Sequence, residues 1–191
     1  MSKLHLKGRV ISGVGGIYTV YCNNNRYKCF ARGKLRRQGE IYIGDIVEFS
    51  YDREGIIEKV LPRKSKLVRP YVSNMDILLI IIADIPRPDM LLLDKLVIGA
   101  DEQGVEAVIA INKCDKIEAV HLADSIEAEY KNIADIIKVS ANTGYGIDEL
   151  KAKIKGKYVC LAGQSAVGKS SLINSLLGRQ VSQTGELSIK S

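Results

Sequence analysis

Residues 157–177, KYVCLAGQSAVGKSSLINSLL, constrain the fold more than any other stretch of this chain. An apolar run from Tyr158 to Ala162 leads into Gly163-Gln164-Ser165-Ala166-Val167-Gly168-Lys169-Ser170-Ser171, and Leu172, Ile173, Leu176 and Leu177 follow at helical spacing. Strand, glycine loop and helix in that order, with the spacing G-x-x-x-x-G-K-S, predict a phosphate-binding loop. The chemistry needs these residue types. Gly163 and Gly168 let the backbone curl so that its N–H groups turn inward on a polyphosphate, and a helix starting near Lys169 adds its positive end. Lys169 is placed to reach the β- and γ-phosphates, and the Ser170 hydroxyl to ligate Mg²⁺. These two are the candidate catalytic residues, and their work is electrostatic. Four fixed positions arise by chance in roughly 1% of chains this long, before the flanking strand and helix are required.

The same architecture is legible from residue 74 onward. Residues 76–83, DILLIIIA, form a continuous apolar run, the pattern of a strand buried on both faces. Helical periodicity over 90–103, a buried strand at 105–111, a helix at 117–130, a strand at 135–139 and a helix at 147–154 complete the alternation. Alternating strands and helices predict a parallel α/β sheet covered on both faces, with ligands at the carboxyl ends of its strands.

Two further motifs fall at those ends. Asn112-Lys113-Cys114-Asp115 follows the strand at 105–111, and Ser140-Ala141-Asn142-Thr143-Gly144 follows the strand at 135–139. The Asp115 carboxylate can accept from both N1–H and the 2-amino group of guanine. Adenine offers neither donor and would leave the carboxylate unpaired, a difference worth factors near ~10⁴. Asn112 is expected to tie this loop to the phosphate loop and to meet the N7 edge of the base, while the Lys113 stem packs over the base plane. Ser140 can brace Asp115, and the Ala141 N–H can donate to guanine O6. The candidate GTP-binding set is therefore Asn112, Lys113, Cys114, Asp115, Ser140, Ala141 and Asn142, with every residue from Gly163 to Ser171. An ATPase is disfavoured by Asp115.

The first sixty residues read differently. Short runs rich in Val, Ile, Tyr and Phe, at 6–14, 17–21, 26–31, 45–51 and 56–60, are split by Gly15-Gly16 and Asn23-Asn24-Asn25. Five strands in so short a span predict a small closed barrel of the oligonucleotide/oligosaccharide-binding (OB) type. Charge separates the two halves: residues 1–70 hold 15 Lys/Arg against 6 Asp/Glu, and residues 71–191 hold 13 against 16. A positive segment of this kind points to an anionic partner, nucleic acid first. Tyr27, Phe30 and Tyr42 flank the basic loop 32–39 and could stack on bases, although Phe30 reads better as a barrel filler. Lys28, Arg32, Lys34, Arg36, Arg37, Arg63, Lys64 and Lys66 are the candidate RNA contacts. The domains expected are an OB fold at 1–62, a proline-flanked basic linker at 63–73, and an α/β domain at 74–191.

The start of the chain lacks the basic-then-apolar pattern of a signal peptide, and its longest apolar run is too short to span a bilayer, so no membrane association is expected. Four scattered cysteines read as reduced core thiols, and no zinc-ligand cluster is visible.

Ordinary GTPases run from the phosphate loop through two switches to N-K-x-D and then S-A-x. Here N-K-x-D at 112–115 and S-A-N at 140–142 precede the phosphate loop. The chain therefore resembles a circularly permuted GTPase. With the basic barrel ahead of it and Pro62-Arg63 through Arg69-Pro70 between, it resembles the ribosome-small-subunit-dependent GTPase A (RsgA) family along nearly its whole length. That resemblance implies a cytoplasmic, monomeric GTP hydrolase that cycles between GTP and GDP with Mg²⁺. It further implies binding to the 30S subunit through 16S rRNA late in maturation, with hydrolysis stimulated by the particle. The family's switch I, its D-x-P-G switch II and its zinc-binding C-terminal domain have no counterpart in these 191 residues, so Zn²⁺ is expected only in that further domain. Without a group to sense the γ-phosphate, the chain by itself is expected to bind guanine nucleotide weakly and hydrolyse it poorly. The alternatives are another permuted ribosome-associated GTPase, or a nucleotide-switched RNA-binding module without significant turnover.

Overall fold

The computed structural model describes residues 4–31, 33, 35, 40–116 and 118–178. The chain divides into two compact units at Met75/Asp76.

The first unit is a closed five-stranded barrel in the order β1-β2-β3-β5-β4, built from β1 (Leu4–Val14), β2 (Ile17–Cys22), β3 (Asn25–Ala31), β4 (Ile46–Tyr51) and β5 (Gly55–Val60). Asn23 and Asn24 both take positive φ, the geometry a two-residue hairpin between β2 and β3 demands. The β1–β4 pairing and the parallel β3–β5 pairing close the barrel, which leaves no free sheet edge. Val10, Val20, Cys29, Val47, Phe49 and Ile57 point inward and form its core. Tyr27 packs against Phe49 and edge-on against Tyr51, so it belongs partly to that core. Burial pushes the Cys29 thiol up to about 11, in keeping with a core-filling cysteine.

Residues 63–73, expected as a linker, are instead built into this unit. Asp45, fully buried, accepts from the Tyr42 N–H at 2.8 Å and the Ser73 hydroxyl at 2.6 Å, and takes a two-pronged contact from Arg63 at 2.7 and 2.8 Å. The short pair β6 (Lys66–Leu67) and β7 (Val72–Ser73) follows, with Ser73 N–H bonded to Ile43 O at 2.8 Å. Arg9 extends the network to the carbonyls of Gly44 and Asn74. Proline and charge suggest a solvated connector; a buried carboxylate that needs donors explains why the segment folds back.

The second unit carries a four-stranded parallel sheet in the order β10-β9-β8-β11. Its strands are β8 (Ile77–Ala83), β9 (Glu106–Asn112), β10 (Asp135–Lys138) and β11 (Val159–Ala162). Its helices are α1 (Met90–Asp101), α2 (Glu118–Tyr130), α3 (Ile147–Ile154) and α4 (Lys169–Leu177). All seven residues of β8 are buried, as a central strand with both faces covered requires. Ile77, Leu79, Ile81 and Ala83 face Ile147, Leu150, Val167 and Leu172, so α3 and α4 cover that side. The alternate residues serve the side packed by α1 and α2. Among the described residues, the strand that is last in chain order thus lies beside the one that is first in this unit. Permuted chain order leaves a doubly wound sheet whose strands all end at one edge, where the four loops after β8, β9, β10 and β11 meet.

Candidate functional site

The loop after β11 has the shape its spacing predicts. Gly163 has φ +137°, and a Cβ there would lie 2.2 Å from the Ile81 carbonyl oxygen; Gly168 has φ +95°, and a Cβ would lie 2.4 Å from Asn112 Nδ2. Neither position admits another residue without displacing a neighbouring strand or the Asn112 side chain. Gly168 is also the N-cap of α4 and has no side-chain oxygen to place over the first turn, which leaves room for an anion at this helix end. Lys169 starts α4 and folds back over the loop, its Nζ donating to the carbonyls of Gly163 at 3.0 Å and Gln164 at 2.5 Å. Ser165 and Ser171 are exposed, Ser170 lies at the surface of the first turn, and Val167 is buried in the sheet core.

The loop after β9 is locked to this cradle. Asn112 is 2% exposed; its Nδ2 donates to Val167 O at 2.9 Å, and its Oδ1 accepts from the Ala141 N–H at 3.2 Å. One side chain therefore ties three loops together, and the Ala141 N–H, expected to serve guanine O6, is engaged with Asn112. Lys113, at φ +68°, sends its Nζ to the carbonyls of Ile85 at 2.6 Å and Ala166 at 3.1 Å, and so lies along the phosphate loop. Cys114 turns its Sγ back to Ile111 O at 3.1 Å, and burial pushes its thiol up. Asp115 stands exposed beyond it. The Ser140 hydroxyl donates to Asp115 Oδ1 at 2.7 Å and also accepts from the Thr143 N–H at 3.2 Å. That hydroxyl is the chief reason the Asp115 carboxyl is held below the usual carboxylate range, with its own backbone N–H helping. Asp115 thus presents an ionised, oriented acceptor at neutral pH. Asn142 follows Ala141 in the same turn and is exposed.

The loop after β8 also belongs to the site, which sequence reasoning misses. The Asp89 N–H donates to Gln164 Oε1 at 3.0 Å, and Gln164 Nε2 donates to Arg87 O at 3.3 Å. With Lys113 on Ile85 O, residues 85–89 are fastened to both other loops. These contacts span up to 77 residues of sequence, and no local pattern announces them.

A metal would have to rest on a sparse donor set. Among the described residues no group of three or more His, Cys, Asp or Glu could hold an ion. Ser170 beside a phosphate cradle suits Mg²⁺, which takes few protein ligands and shares the oxygens of a bound phosphate. A separate cavity of about 290 Å³ lies at the opposite, amino end of β9 and β10, lined by Val97, Ala107, Ile133 and neighbours. It takes no part in this cluster.

In the first unit the candidate RNA contacts divide. Lys28, Lys64 and Lys66 are exposed; Lys28 lies 5.6 Å from the Phe30 ring centre and Lys66 lies 4.9 Å from that of Tyr42. Arg63 is committed inward to Asp45 and stacks on Tyr42 at 4.5 Å; hydrogen bonding to Asp45 raises its pKa. Tyr42, expected at the edge of a binding loop, is 7% exposed. Arg32, Lys34, Arg36 and Arg37 lie outside the described residues. No helix among the described residues is long and apolar enough to cross a membrane.

Comparison with known proteins agrees with this layout. The family description "RsgA N-terminal domain" matches residues 7–57, and "RsgA GTPase" matches residues 60–191. The small ribosomal subunit biogenesis GTPase RsgA of Caldanaerobacter subterraneus subsp. tengcongensis is 40% identical over 190 residues, covering 97% of this chain and 64% of that protein. Its counterpart in Alkaliphilus metalliredigens is 36% identical, covering 96% and 65%. The chain thus spans just under two thirds of the length of these relatives. Among solved structures, YjeQ from Thermotoga maritima superposes with a TM-score of 0.78 at 38% identity over 91% of this chain and 65% of that one. YloQ, described as a circularly permuted GTPase, shares the fold with a TM-score of 0.70 at 22% identity over 90% of this chain and 64% of that one. Barrel first, the N-K-C-D and S-A-N loops next and the glycine loop last, matched in that order along nearly all its residues, the chain belongs to the RsgA GTPase family.

Proposed function

We propose that this chain supplies the guanine-nucleotide site and the RNA-facing barrel of a GTPase that acts on the small ribosomal subunit during its late maturation. The observation that carries the reading is the Asn112 side chain, which fixes the base loop to the phosphate loop at Val167 O, 2.9 Å away. A nucleotide needs both loops at a set separation, and a buried two-ended amide holds them there.

In this reading Asp115, oriented by Ser140, pairs with N1–H and the 2-amino group of guanine, and Lys113 flanks the base. The N–H groups from Gly163 to Ser171 surround the phosphates. Lys169 lies over the β- and γ-phosphate oxygens and stabilises the charge that gathers on them as the terminal bond breaks. The Ser170 hydroxyl would hold Mg²⁺, which when bound neutralises phosphate charge. Water attacks the γ-phosphate and yields GDP and inorganic phosphate.

For the barrel, the exposed Lys28, Lys64 and Lys66, with Arg32, Lys34, Arg36 and Arg37, are proposed to meet the phosphates of 16S rRNA in the 30S subunit. Particle binding, a monomeric state and a cytoplasmic location belong to the same proposal, and the relatives named for small-subunit biogenesis support it. The test is calorimetric titration of the chain with GDP and ADP, together with GTP turnover of the full-length protein with and without purified 30S subunits. GDP binding without ADP binding, and turnover raised by the subunit, are expected. Equal affinity for the two nucleotides would end the guanine reading.

A further inference from the structure

Helix α1 begins with an incomplete cap. Its N-cap residue Asp89 accepts from the Leu92 N–H through Oδ1 at 3.0 Å, the usual first half of a capping box. The second half needs a Glu or Gln at the position of Leu92 to accept from the N-cap's own N–H, and leucine has no acceptor. The missing oxygen comes from elsewhere: Gln164 Oε1, in the phosphate loop, accepts the Asp89 N–H at 3.0 Å. The other end of the same amide donates to Arg87 O at 3.3 Å. Both halves of the Gln164 side chain are spent on residues 87–89, so it turns away from the cradle that its own backbone helps to form.

The segment it grips is held from the other side as well. Lys113 Nζ bridges Ile85 O and Ala166 O, and so joins the base loop, the phosphate loop and residues 85–89 at one point. Any shift of the phosphate loop must therefore drag or release the start of α1.

We infer that Gln164 is a positioning residue that completes the N-terminal cap of α1 and thereby couples occupation of the phosphate loop to the order of residues 85–92. This rests on the guanine-nucleotide reading above. Coupling of this kind is reciprocal: a nucleotide that steadies the loop steadies the cap, and a broken cap loosens the nucleotide. The α1 amino end and the surface beside it, with Ile85 and Leu91 exposed, become the place where the loaded and unloaded protein differ.

The experiment is residue-resolved amide hydrogen exchange on the full-length protein with and without saturating GDP, in wild type, Gln164→Met and Gln164→Glu. Methionine keeps the length and removes both hydrogen bonds; glutamate keeps the acceptor. In wild type, GDP is expected to slow exchange at Asp89. In Gln164→Met, Asp89 is expected to exchange at least about tenfold faster and to ignore GDP, and GDP affinity to fall about fivefold, the worth of one ordinary hydrogen bond. Gln164→Glu is expected to restore the protection of Asp89. If wild type takes up GDP and Asp89 responds equally in wild type and Gln164→Met, the coupling is overturned while the nucleotide site stands. If wild type takes up no GDP, the nucleotide reading itself fails and the coupling with it.

Discussion

Asn112 and Val167, 55 residues apart in the chain, are joined by a buried hydrogen bond of 2.9 Å from the asparagine amide to the backbone carbonyl. The other end of the amide holds Ala141 at 3.2 Å. Three loops from three strands thus share one side chain that solvent hardly reaches. Asn112→Ala leaves Val167 O and the Ala141 N–H without this partner, at a cost of about 1–3 kcal/mol for each group that water cannot reach. GDP affinity is expected to fall at least tenfold and the melting temperature to drop; calorimetry and thermal unfolding check the two together. Unchanged affinity would mean the loops hold their spacing without it.

Asp115→Asn replaces an acceptor pair with an amide that can donate. Preference is expected to move from guanine to xanthine nucleotides, read by competitive titration with GDP and XDP. No change in the ratio would remove Asp115 from base recognition.

Ser140 sets the pH range of that carboxylate. Because the Ser140 hydroxyl lowers the folded-state pKa of Asp115, the group contributes stability above its unfolded value, near ~3.9, and loses that contribution only as pH falls through the lower folded value. In Ser140→Ala the midpoint for Asp115 is expected to rise toward the ordinary carboxylate value, and the acid loss of GDP binding to begin at higher pH. An NMR titration of the Asp115 carboxyl gives the midpoint directly. A midpoint that stays put would assign the depression to the backbone.

Arg63 and Asp45 make the opposite kind of pair, inside the barrel unit. Asp45 is fully buried and Arg63 is its charged partner at 2.7 Å. Arg63→Ala strands a buried charge and is expected to destabilise this unit by about 3 kcal/mol. Arg63→Lys is expected to recover little, because an ammonium cannot make the two-pronged contact or stack as flatly on Tyr42. Denaturant unfolding followed by tyrosine fluorescence reports it.

Lys28, Lys64, Arg36 and Arg37 are expected to behave differently from Arg63. Alanine at Lys28 or Lys64, both exposed, should leave stability within about 0.5 kcal/mol. Every side chain among them that neutralises an RNA phosphate should, on replacement, flatten the salt dependence of RNA binding by roughly 0.7–0.9 in the log–log slope. A slope unchanged in the quadruple variant would remove these side chains from RNA contact.

These contrasts mark what can be read from the chain alone. Asn23 and Asn24 announce a tight hairpin because their backbone preference is local. The run from Ile77 to Ala83 announces a doubly covered strand because every residue in it avoids water. The glycine loop and N-K-x-D stand out in the sequence because the nucleotide chemistry proposed for them would dictate both residue type and spacing. The Arg63–Asp45 pair follows no such rule: its partners lie 18 residues apart, and a basic, proline-flanked stretch looks solvated until the buried carboxylate it serves is known. Tyr42 departs from expectation for the same reason, since its cover comes from Arg63 and Lys66 further along the chain. Gln164 is legible as part of the phosphate loop by spacing, yet nothing local says that its side chain caps a helix 75 residues upstream.

The order of strands carries a consequence for biosynthesis. A growing polypeptide emerges with its amino end first, so the loops after β9 and β10 leave the exit tunnel before β11 and the glycine loop that follows it. The last of the four strands must then dock against β8, the first of them. In the proposed reading a guanine nucleotide contacts loops from both sides of that docking, so its binding would favour β11 docked on β8 over β11 undocked.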